Sequence, residues 1–299
     1  MQKVANSSPL ISVVIPCHNA RNFLPSTLAS LRAQSLTNWE AIIIDDGSED
    51  NSADIAWSAT QTDPRIKLLY QSNWGVSQTR NRGAENARAP LVAFMDADDI
   101  WHPEYLEELL KFMSEKPKRD VGFARVRFID EHAAPTGAFS HSKLRDLTVA
   151  DLMAGNPTTT CSNLVVRRDA FLKSGGFKKG LNYAEDQLWL LQMHLSGSLI
   201  EGLDRVLVDY RTNTSGLSSD LEAMRRGWDT MIADLQQKFP DALEASIGPA
   251  RARNLLYLSK RAWRTGKGVN ATFSYLKQSL TVHWQALPNA LFHAIQSRI

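Results

Sequence analysis

Short apolar runs that alternate with helical patterns constrain the fold of the first 130 residues more than any other feature. The apolar runs predict buried strands, and the stretches between them carry apolar residues at helical spacing. Strands joined in this way by helices form a mostly parallel sheet that is covered on both faces. We therefore predict an α/β fold with a mostly parallel, mixed sheet and helices on both faces. The four predicted strands are Ile11–Pro16, Ala41–Ile44, Ile66–Tyr70 and Leu91–Met95.

The rest of the chain is less regular and becomes helical from Asp220 onward. Arg253–Trp263 and an apolar series from Phe273 to Leu287 resemble one helical hairpin, which cannot bury a core alone and is expected to dock on the main domain. We predict a main domain at 1–217 and a helical C-terminal extension at 218–299. Further predicted strands are Val121–Ile129, Cys161–Arg167 and Val206–Arg211.

The composition is that of an ordinary globular protein, with 43% hydrophobic and 22% charged residues. Cys17 and Cys161 form neither a disulfide framework nor a zinc-ligand pattern, which fits a reducing compartment. The N-terminus has no export signal, and no run of about 18 apolar residues predicts a spanning helix. We therefore expect a cytoplasmic protein.

Basic residues are concentrated towards the C-terminus. From Arg251 to Ile299 there are eight Lys or Arg and no Asp or Glu, whereas the first 250 residues carry 26 basic and 32 acidic residues. One interpretation is a solvated basic helix face. The other is a surface that meets anionic lipid head groups or a phosphorylated acceptor, which would hold the protein peripherally on the inner face of the cell membrane. No known nucleic-acid-binding module is present, so we expect no nucleic-acid partner.

Three polar or acidic turns, Pro16–Asn19, Asp45–Ser48 and Asp96–Asp99, follow three of the predicted strands. Because ligands of such sheets bind outside the carboxyl ends of the strands, these turns predict one ligand site. A carboxylate in the Asp45–Ser48 turn could accept from a base N–H or from ribose hydroxyls. Arg80, one turn into the next predicted helix, could reach a phosphate or brace the site, and the alternative is an ordinary surface salt bridge.

The Asp96-Ala97-Asp98-Asp99 segment places three carboxylates in four residues, and their repulsion costs free energy unless a cation or hydrogen-bond donors offset it. Mg²⁺ and Mn²⁺ prefer oxygen ligands, and one or two carboxylates would leave positions open for a diphosphate. The alternative is that Asp98 or Asp99 caps the helix expected near Pro103. We assign metal binding to Asp96 and Asp98 and the cap to Asp99.

The motifs that carry chemistry are Val13–Asn19, Ile43–Ser48, Asn73–Ser77, Arg80–Gly83, Phe94–Asp99, Arg167-Arg168, Gly175–Phe177, Glu185-Asp186 and Tyr210-Arg211. In this order and at these spacings they resemble the family 2 glycosyltransferases, which have the glycosyltransferase-A fold. The resemblance covers roughly residues 10–215. It implies that the main domain binds a nucleotide sugar and is catalytic.

The resemblance implies an inverting, metal-dependent transfer of a sugar from a nucleotide-diphosphate donor, expected to be UDP-linked. The acceptor would be a hydroxyl of a glycan or lipid-linked molecule in cell-surface polysaccharide synthesis, and the cofactor would be Mg²⁺ or Mn²⁺. For the donor, the resemblance implies Pro16 and Asn19 in the nucleotide pocket, Asp45 and Asp46 at uracil or ribose, and Arg80 at the nucleotide or its phosphates. It implies that Asp96 and Asp98 contact the metal, the ribose or the diphosphate. It also implies that Asp186 is the general base and that Glu185 helps to orient the site.

Asp186 has a second interpretation as the N-cap of a helix over Gln187–Leu195, and both roles can hold together. His18 stands where many relatives carry Tyr. The chain also lacks a Gln-x-x-Arg-Trp motif after Tyr210-Arg211, which favours addition of one or a few sugars over a long polymer. Two other functions stay open: a non-catalytic binding module that kept the fold, and a sugar nucleotidyltransferase, whose usual Gly-rich, Arg-containing N-terminal loop is missing.

Overall fold

The computed structural model describes residues 8–212, 220–264 and 266–282, which form two compact units. The first unit comprises residues 8–146, Thr158–Asn182 and Ser196–Thr212. The second comprises Leu147–Pro157, Tyr183–Leu195 and the described residues from 220 onward. Three expectations lie outside the described residues: the absence of an export signal in residues 1–7, the domain boundary at 217–218, and the helical positions after Val282.

The first unit contains one mixed sheet. Its strands are β1 (Ile11–Cys17), β2 (Trp39–Asp46), β3 (Ile66–Gln71), β4 (Leu91–Phe94), β5 (Ile100–Trp101), β6 (Arg119–Ile129), β7 (Pro135–Phe139), β8 (Val165–Arg167) and β9 (Leu199–Arg211). The order is β3-β2-β1-β4-β8-β6-β9-β5, with β7 on β6. The pairs β1–β2, β1–β4, β2–β3 and β6–β9 are parallel, and β8 runs antiparallel to both β4 and β6. The predicted α/β fold with a mixed sheet is confirmed.

Alternate residues of β1 point to opposite faces of the sheet, and a different helix layer covers each face. Val13 and Ile15 lie in the core cluster that contains apolar residues of the first and fourth helices. On the other face, Gly83 of the third helix lies so close that an added Cβ would fall 2.2 Å from Val14 Cγ1 and 2.9 Å from Ile44 Cδ1. The helices of this unit are α1 (Leu24–Arg32), α2 (Ser52–Thr62), α3 (Val76–Asn86), α4 (Tyr105–Glu115) and α6 (Arg168–Lys173).

The second unit is helical. Its elements are α5 (Val149–Ala154), α7 (Glu185–Leu195), α8 (Leu221–Lys238), α9 (Pro240–Arg264) and α10 (Val269–Val282). The hairpin α9–α10 packs on α8 through a small apolar cluster, and α9 also contacts α5. Within the described residues, no helix is both long enough and apolar enough to cross a bilayer. The members of the apolar cluster are Leu221, Leu255, Leu258, Ala262 and Tyr275.

One predicted strand was wrong over half its length. Cys161–Asn163 forms a 3-10 turn, and only Val165–Arg167 is a strand. The turn forms because the Thr160 hydroxyl accepts the Ser162 N–H at 3.1 Å, a local hydrogen bond that competes with strand pairing. By contrast, the predicted strand at Val206–Arg211 is the end of the longer β9.

A buried carboxylate, Glu40, joins three strands near the amino ends of β1 and β2. It accepts from Ser12 Oγ at 2.7 Å, from Lys67 Nζ at 3.0 Å, and from the backbone N–H and Nε of Arg88 at 2.8 Å each. Burial by itself would raise the pKa of Glu40. The hydrogen bonds from Ser12, Arg88 and Lys67 outweigh burial and lower that pKa below its ordinary value.

Glu40→Gln is expected to lower the free energy of unfolding at pH 7 by about 1–3 kcal/mol, because charge-assisted hydrogen bonds are lost from a buried site. The folded pKa lies below the unfolded value of about 4.3. The stabilisation is therefore complete above that value and is lost as the pH falls through the folded pKa. Urea unfolding at pH 7 and at about pH 3 should show wild type converging on the variant. Glu115→Gln, at an exposed position, is the control, and equal losses in the two variants would contradict the prediction.

Candidate active site

The carboxyl ends of three parallel strands bring the predicted ligand-bearing turns to one edge of the sheet. β1 ends at Cys17, β2 at Asp46 and β4 at Phe94. Pro16, the residue before Cys17, is half-buried. β1 pairs in parallel with both β2 and β4, so the Asp96–Asp99 turn follows at the same edge. The placement expected from strand alternation is therefore confirmed.

Hydrogen bonds tie the turn after β1 to the turn after β2. The Asn19 N–H donates to Ser48 Oγ at 3.1 Å, and Asn19 Oδ1 accepts the Glu49 N–H at 2.8 Å. Asn19 adopts a left-handed φ of 50°, which Asn tolerates better than most residues. His18 Nδ1 lies 3.0 Å from the Asp46 carbonyl oxygen. Since a carbonyl only accepts, this nitrogen carries the proton.

The two carboxylates of the second turn have different surroundings. Asp46 accepts from Gln71 Nε2 at 2.7 Å and from the N–H groups of Trp74 and Gly75 at 2.8 and 2.9 Å. It thereby holds the turn that precedes α3. Asp45 Oδ2 accepts the Ser48 N–H at 3.3 Å, whereas its buried Oδ1 has no hydrogen-bond partner among the described residues. Asp45 is therefore a buried carboxylate with one oxygen that no donor of the described residues satisfies.

Arg80 and two hydroxyl residues hold Asp96. Arg80 Nη2 donates to Asp96 Oδ1 at 2.6 Å, and Thr160 Oγ1 donates to Asp96 Oδ2 at 3.2 Å. The Asp96 N–H donates to Ser162 Oγ at 2.6 Å. The sequence did not indicate Thr160 or Ser162, since the local signal was a run of small polar residues before and at the start of the strand predicted at Cys161–Arg167. The preceding Thr159 has a φ of 70°, a strained value for a β-branched residue.

Asp98 and Asp99 lie in an environment that disfavours negative charge. Burial and then the neighbouring Asp96 raise the pKa of Asp98 to about 6. Burial, followed by Asp98 and Asp96, raises the pKa of Asp99 well above its ordinary value. Arg211 partly offsets the negative charge of Asp98 and Asp99. Its backbone N–H donates to Asp99 Oδ1 and its side-chain Nε donates to the Asp98 backbone carbonyl, both at 2.8 Å.

The prediction that Asp99 caps a helix was wrong. The helix begins at Tyr105, and its N-cap residue, Glu104, makes no side-chain capping hydrogen bond. Asp99 is completely buried and connects the turn after β4 to Arg211 at the end of β9. The reason lies in the tertiary structure. The Asp99 carboxylate is buried and accepts a hydrogen bond from the backbone N–H of Arg211, which is distant in the sequence.

Asp96 and Asp98 are the carboxylates of this edge that could hold Mg²⁺ or Mn²⁺. A cation would relieve the repulsion from Asp96 that contributes to the raised pKa of Asp98. Within residues 8–212, 220–264 and 266–282, no three His, Cys, Asp or Glu side chains could enclose a metal. Mg²⁺ needs no such enclosure, because one or two carboxylates together with substrate phosphates commonly hold it.

The predicted catalytic carboxylates lie in the second unit. α7 begins at Glu185, which is buried, so Asp186 lies inside the first turn and not before it. Asp186 Oδ1 accepts the N–H of the next residue, Gln187, at 2.7 Å. An N-cap side chain accepts from the second or third residue after it, so the prediction that Asp186 is the N-cap of this helix was wrong. Asp186 Oδ2 accepts from Asn156 Nδ2 at 2.6 Å. Asn156 is a further residue that the sequence did not indicate.

Two solved structures have a similar fold. Staphylococcus aureus TarS 1–349 in complex with UDP-GlcNAc aligns with a TM-score of 0.60 at 19% identity, covering 90% of each chain. The mannosyltransferase PcManGT from Pyrobaculum calidifontis, in complex with GDP-Man and Mn²⁺, aligns with a TM-score of 0.63 at 16% identity. That alignment covers 97% of this chain and 80% of PcManGT. At these identities the likeness establishes the fold.

Sequence comparison identifies the family. The model of glycosyl transferase family 2 matches residues 12–187, more than half of the chain. TuaG of Bacillus subtilis (strain 168), a glycosyltransferase named for teichuronic acid biosynthesis, is 30% identical over 228 residues, which are 75% of this chain and 88% of TuaG. The chain therefore belongs to glycosyltransferase family 2 and is a glycosyltransferase.

Proposed function

We propose that the chain transfers a sugar from a nucleotide-diphosphate sugar to an acceptor hydroxyl with inversion at the anomeric carbon. The observation that carries this proposal is the single sheet edge where the turns after β1, β2 and β4 meet. That edge carries the carboxylates of Asp45, Asp96 and Asp98, and one oxygen of Asp45 has no hydrogen-bond partner among the described residues. Family membership supports the same assignment.

The donor is proposed to be UDP-linked, and the acceptor to be a glycan or lipid-linked molecule in cell-surface polysaccharide synthesis. The UDP-GlcNAc complex of TarS supports the nucleotide, and the name of TuaG supports the pathway class. Pro16 and Asn19 would line the nucleotide pocket. Asp45 is the better placed of the two β2 carboxylates to accept from the base or ribose, because three N–H donors already occupy Asp46.

Asp98, with Asp96 beside it, would hold Mg²⁺ or Mn²⁺. The bound ion would act as a Lewis acid that neutralises charge on the departing diphosphate. Arg80 and Thr160 fix both oxygens of Asp96, so this carboxylate needs little reorganisation when the donor binds. Arg80 also places a fixed positive charge beside the carboxylate pair.

Asp186 is proposed as the general base and Glu185 as its orienting neighbour. The acceptor oxygen attacks the anomeric carbon from the face opposite the diphosphate, whose C–O bond breaks and takes its electron pair. The acceptor proton goes to the Asp186 carboxylate, which suits that task. Asn156 restricts the orientation of this carboxylate through the hydrogen bond to Oδ2. Direct displacement inverts the configuration without a covalent intermediate.

A thermal-shift screen of nucleotide sugars with Mn²⁺ tests this function. A donor that binds only the folded protein raises the apparent stability by about 2.7 kcal/mol at 100 times its Kd. We expect one UDP-sugar to raise the Tm with Mn²⁺ and to be consumed when a hydroxyl acceptor is supplied. Nuclear magnetic resonance of the product should show the inverted anomer. No binding of any nucleotide would favour a non-catalytic module, and formation of a nucleotide sugar from a nucleoside triphosphate would favour a nucleotidyltransferase.

We also infer that the protein works in the cytoplasm, with peripheral contact at the inner face of the membrane through its basic C-terminal helices. Both cysteines are free and buried, as expected in a reducing compartment. Residues 251–299 contain no acidic side chain, and anionic head groups attract such segments. Co-sedimentation with anionic vesicles, but not with neutral ones, would support the contact.

A further inference from the structure

Helix α10 exposes an apolar face. Val269, Phe273 and Leu280 are 54%, 60% and 43% exposed. At 3.6 residues per turn, positions 269, 273 and 280 fall on one side of the helix, and the exposed Lys277 lies on the same side. A surface helix of a globular protein normally turns its polar residues outward and its apolar stripe inward. In α10, part of the outward side is instead apolar.

The opposite face of α10 is anchored, so the outward apolar residues are held in place. Tyr275 is buried in the cluster formed with α8 and α9, and Ala271 packs against the same cluster. Ser279 is also buried, and its Oγ donates to the Ala252 carbonyl at 2.7 Å. Turning Phe273 inward would expose Tyr275 and break this hydrogen bond.

The hairpin end adds an exposed tryptophan to a basic segment. Trp263 is 58% exposed and lies in the last turn of α9, next to the final helical residue. The turn between α9 and α10 is closed by a hydrogen bond from the Lys267 N–H to the Ala262 carbonyl at 3.0 Å. Between residues 251 and 282 there are seven Lys or Arg and no Asp or Glu. Exposed aromatic and apolar side chains among basic residues are typical of helices that lie in a membrane interface.

We propose that the α9–α10 hairpin inserts the outer face of α10 and Trp263 into the head-group region of an anionic bilayer. This deepens the membrane contact of the proposed function, because it assigns an apolar anchor to a contact otherwise held by charge alone. A second copy of the chain is a less suitable partner for this exposed surface, since pairing the surface with itself would bring two basic segments together. Apolar insertion and electrostatic attraction differ in their response to salt, because screening weakens only the second.

The test compares the full-length wild type with a Val269→Ser/Phe273→Ser variant by co-sedimentation with vesicles of phosphatidylglycerol and phosphatidylcholine. We expect wild type to bind at 0.1 M salt and to keep a measurable part of that binding at about 1 M, where the Debye length is about 3 Å. The double variant should bind about tenfold more weakly and lose all binding at high salt. Trp57→Ser is the matched control, because Trp57 is 55% exposed on α2 of the other unit. It should bind like wild type.

Equal binding of wild type and the double variant would overturn the inference. A lowered Tm in the double variant would also overturn it, because it would mean that these side chains pack inside the protein. So would a wild-type dimer in gel filtration that the double substitution dissolves without any vesicle binding. Donor binding with Mn²⁺, measured on the same samples, separates this inference from the proposed function. Vesicle binding without donor binding would remove the transferase proposal alone, whereas donor binding without vesicle binding would remove the anchor alone.

Discussion

Asp98→Asn is expected to lower kcat/KM for sugar transfer by about a thousandfold, equivalent to about 4 kcal/mol of transition-state stabilisation. The substitution keeps the shape of the side chain but removes the charge that would hold the divalent ion beside the leaving diphosphate. It should also abolish the Mn²⁺ dependence of donor binding. Initial rates and donor thermal shifts over a Mn²⁺ titration measure both effects.

Asp54→Asn is the matched control for this substitution. Asp54 is an exposed carboxylate in the first turn of α2, within the same unit. Its replacement should leave the rate and the Mn²⁺ response unchanged. Wild-type turnover by Asp98→Asn at saturating Mn²⁺ would remove Asp98 from the catalytic site and would leave the carboxylates after β4 with a structural role.

Asp186→Asn is expected to keep donor binding while transfer falls by about a hundredfold to ten-thousandfold, the range that a positioned base contributes. The amide keeps the shape of the side chain but cannot take the acceptor proton. The thermal shift with donor and Mn²⁺ should therefore match that of wild type, and single-turnover transfer should be slow at every acceptor concentration.

Asp241→Asn provides the comparison for a general effect of first-turn charge. Asp241 lies in the first turn of α9 in the same unit and is exposed. We expect this variant to transfer at the wild-type rate. A parallel fall in donor binding and transfer in Asp186→Asn would point to a distorted α7, and an unchanged transfer rate would exclude Asp186 as the base.

The position of the candidate site could be predicted from the sequence because the strands that position it are buried on both faces. Such strands appear as continuous apolar runs, and β1, β2 and β4 are all of this kind. Strand alternation then implies parallel pairing, and parallel pairing implies one edge for the turns that follow. Each step uses information within a few residues, so the prediction needed no tertiary contact.

The hydrogen-bond partners of the individual carboxylates, and hence their different roles, could not be predicted in this way. Asp46 and Asp99 have the same residue type and similar local sequence to Asp45 and Asp98. Asp45 accepts the N–H of the nearby Ser48, whereas Asp46 accepts those of Trp74 and Gly75, and Asp99 accepts that of Arg211. The Asp99 donor is Arg211, 112 positions away, and the Ser162 hydroxyl that accepts the Asp96 N–H is 66 positions away. No periodicity or motif spacing records such a contact.

By itself the sequence determined the mixed α/β sheet, the edge that bears Asp96-Ala97-Asp98 and the family to which the chain belongs. These follow from local burial patterns and from motif order. Only the tertiary structure decided that Asp99 supports β9 and that Arg80, Thr160 and Ser162 hold Asp96. It also decided that Val269, Phe273 and Leu280 of α10 are exposed. The physical reason is that the free energy of a buried charge or an exposed apolar side chain depends on its neighbours in space, which the chain brings together from distant positions.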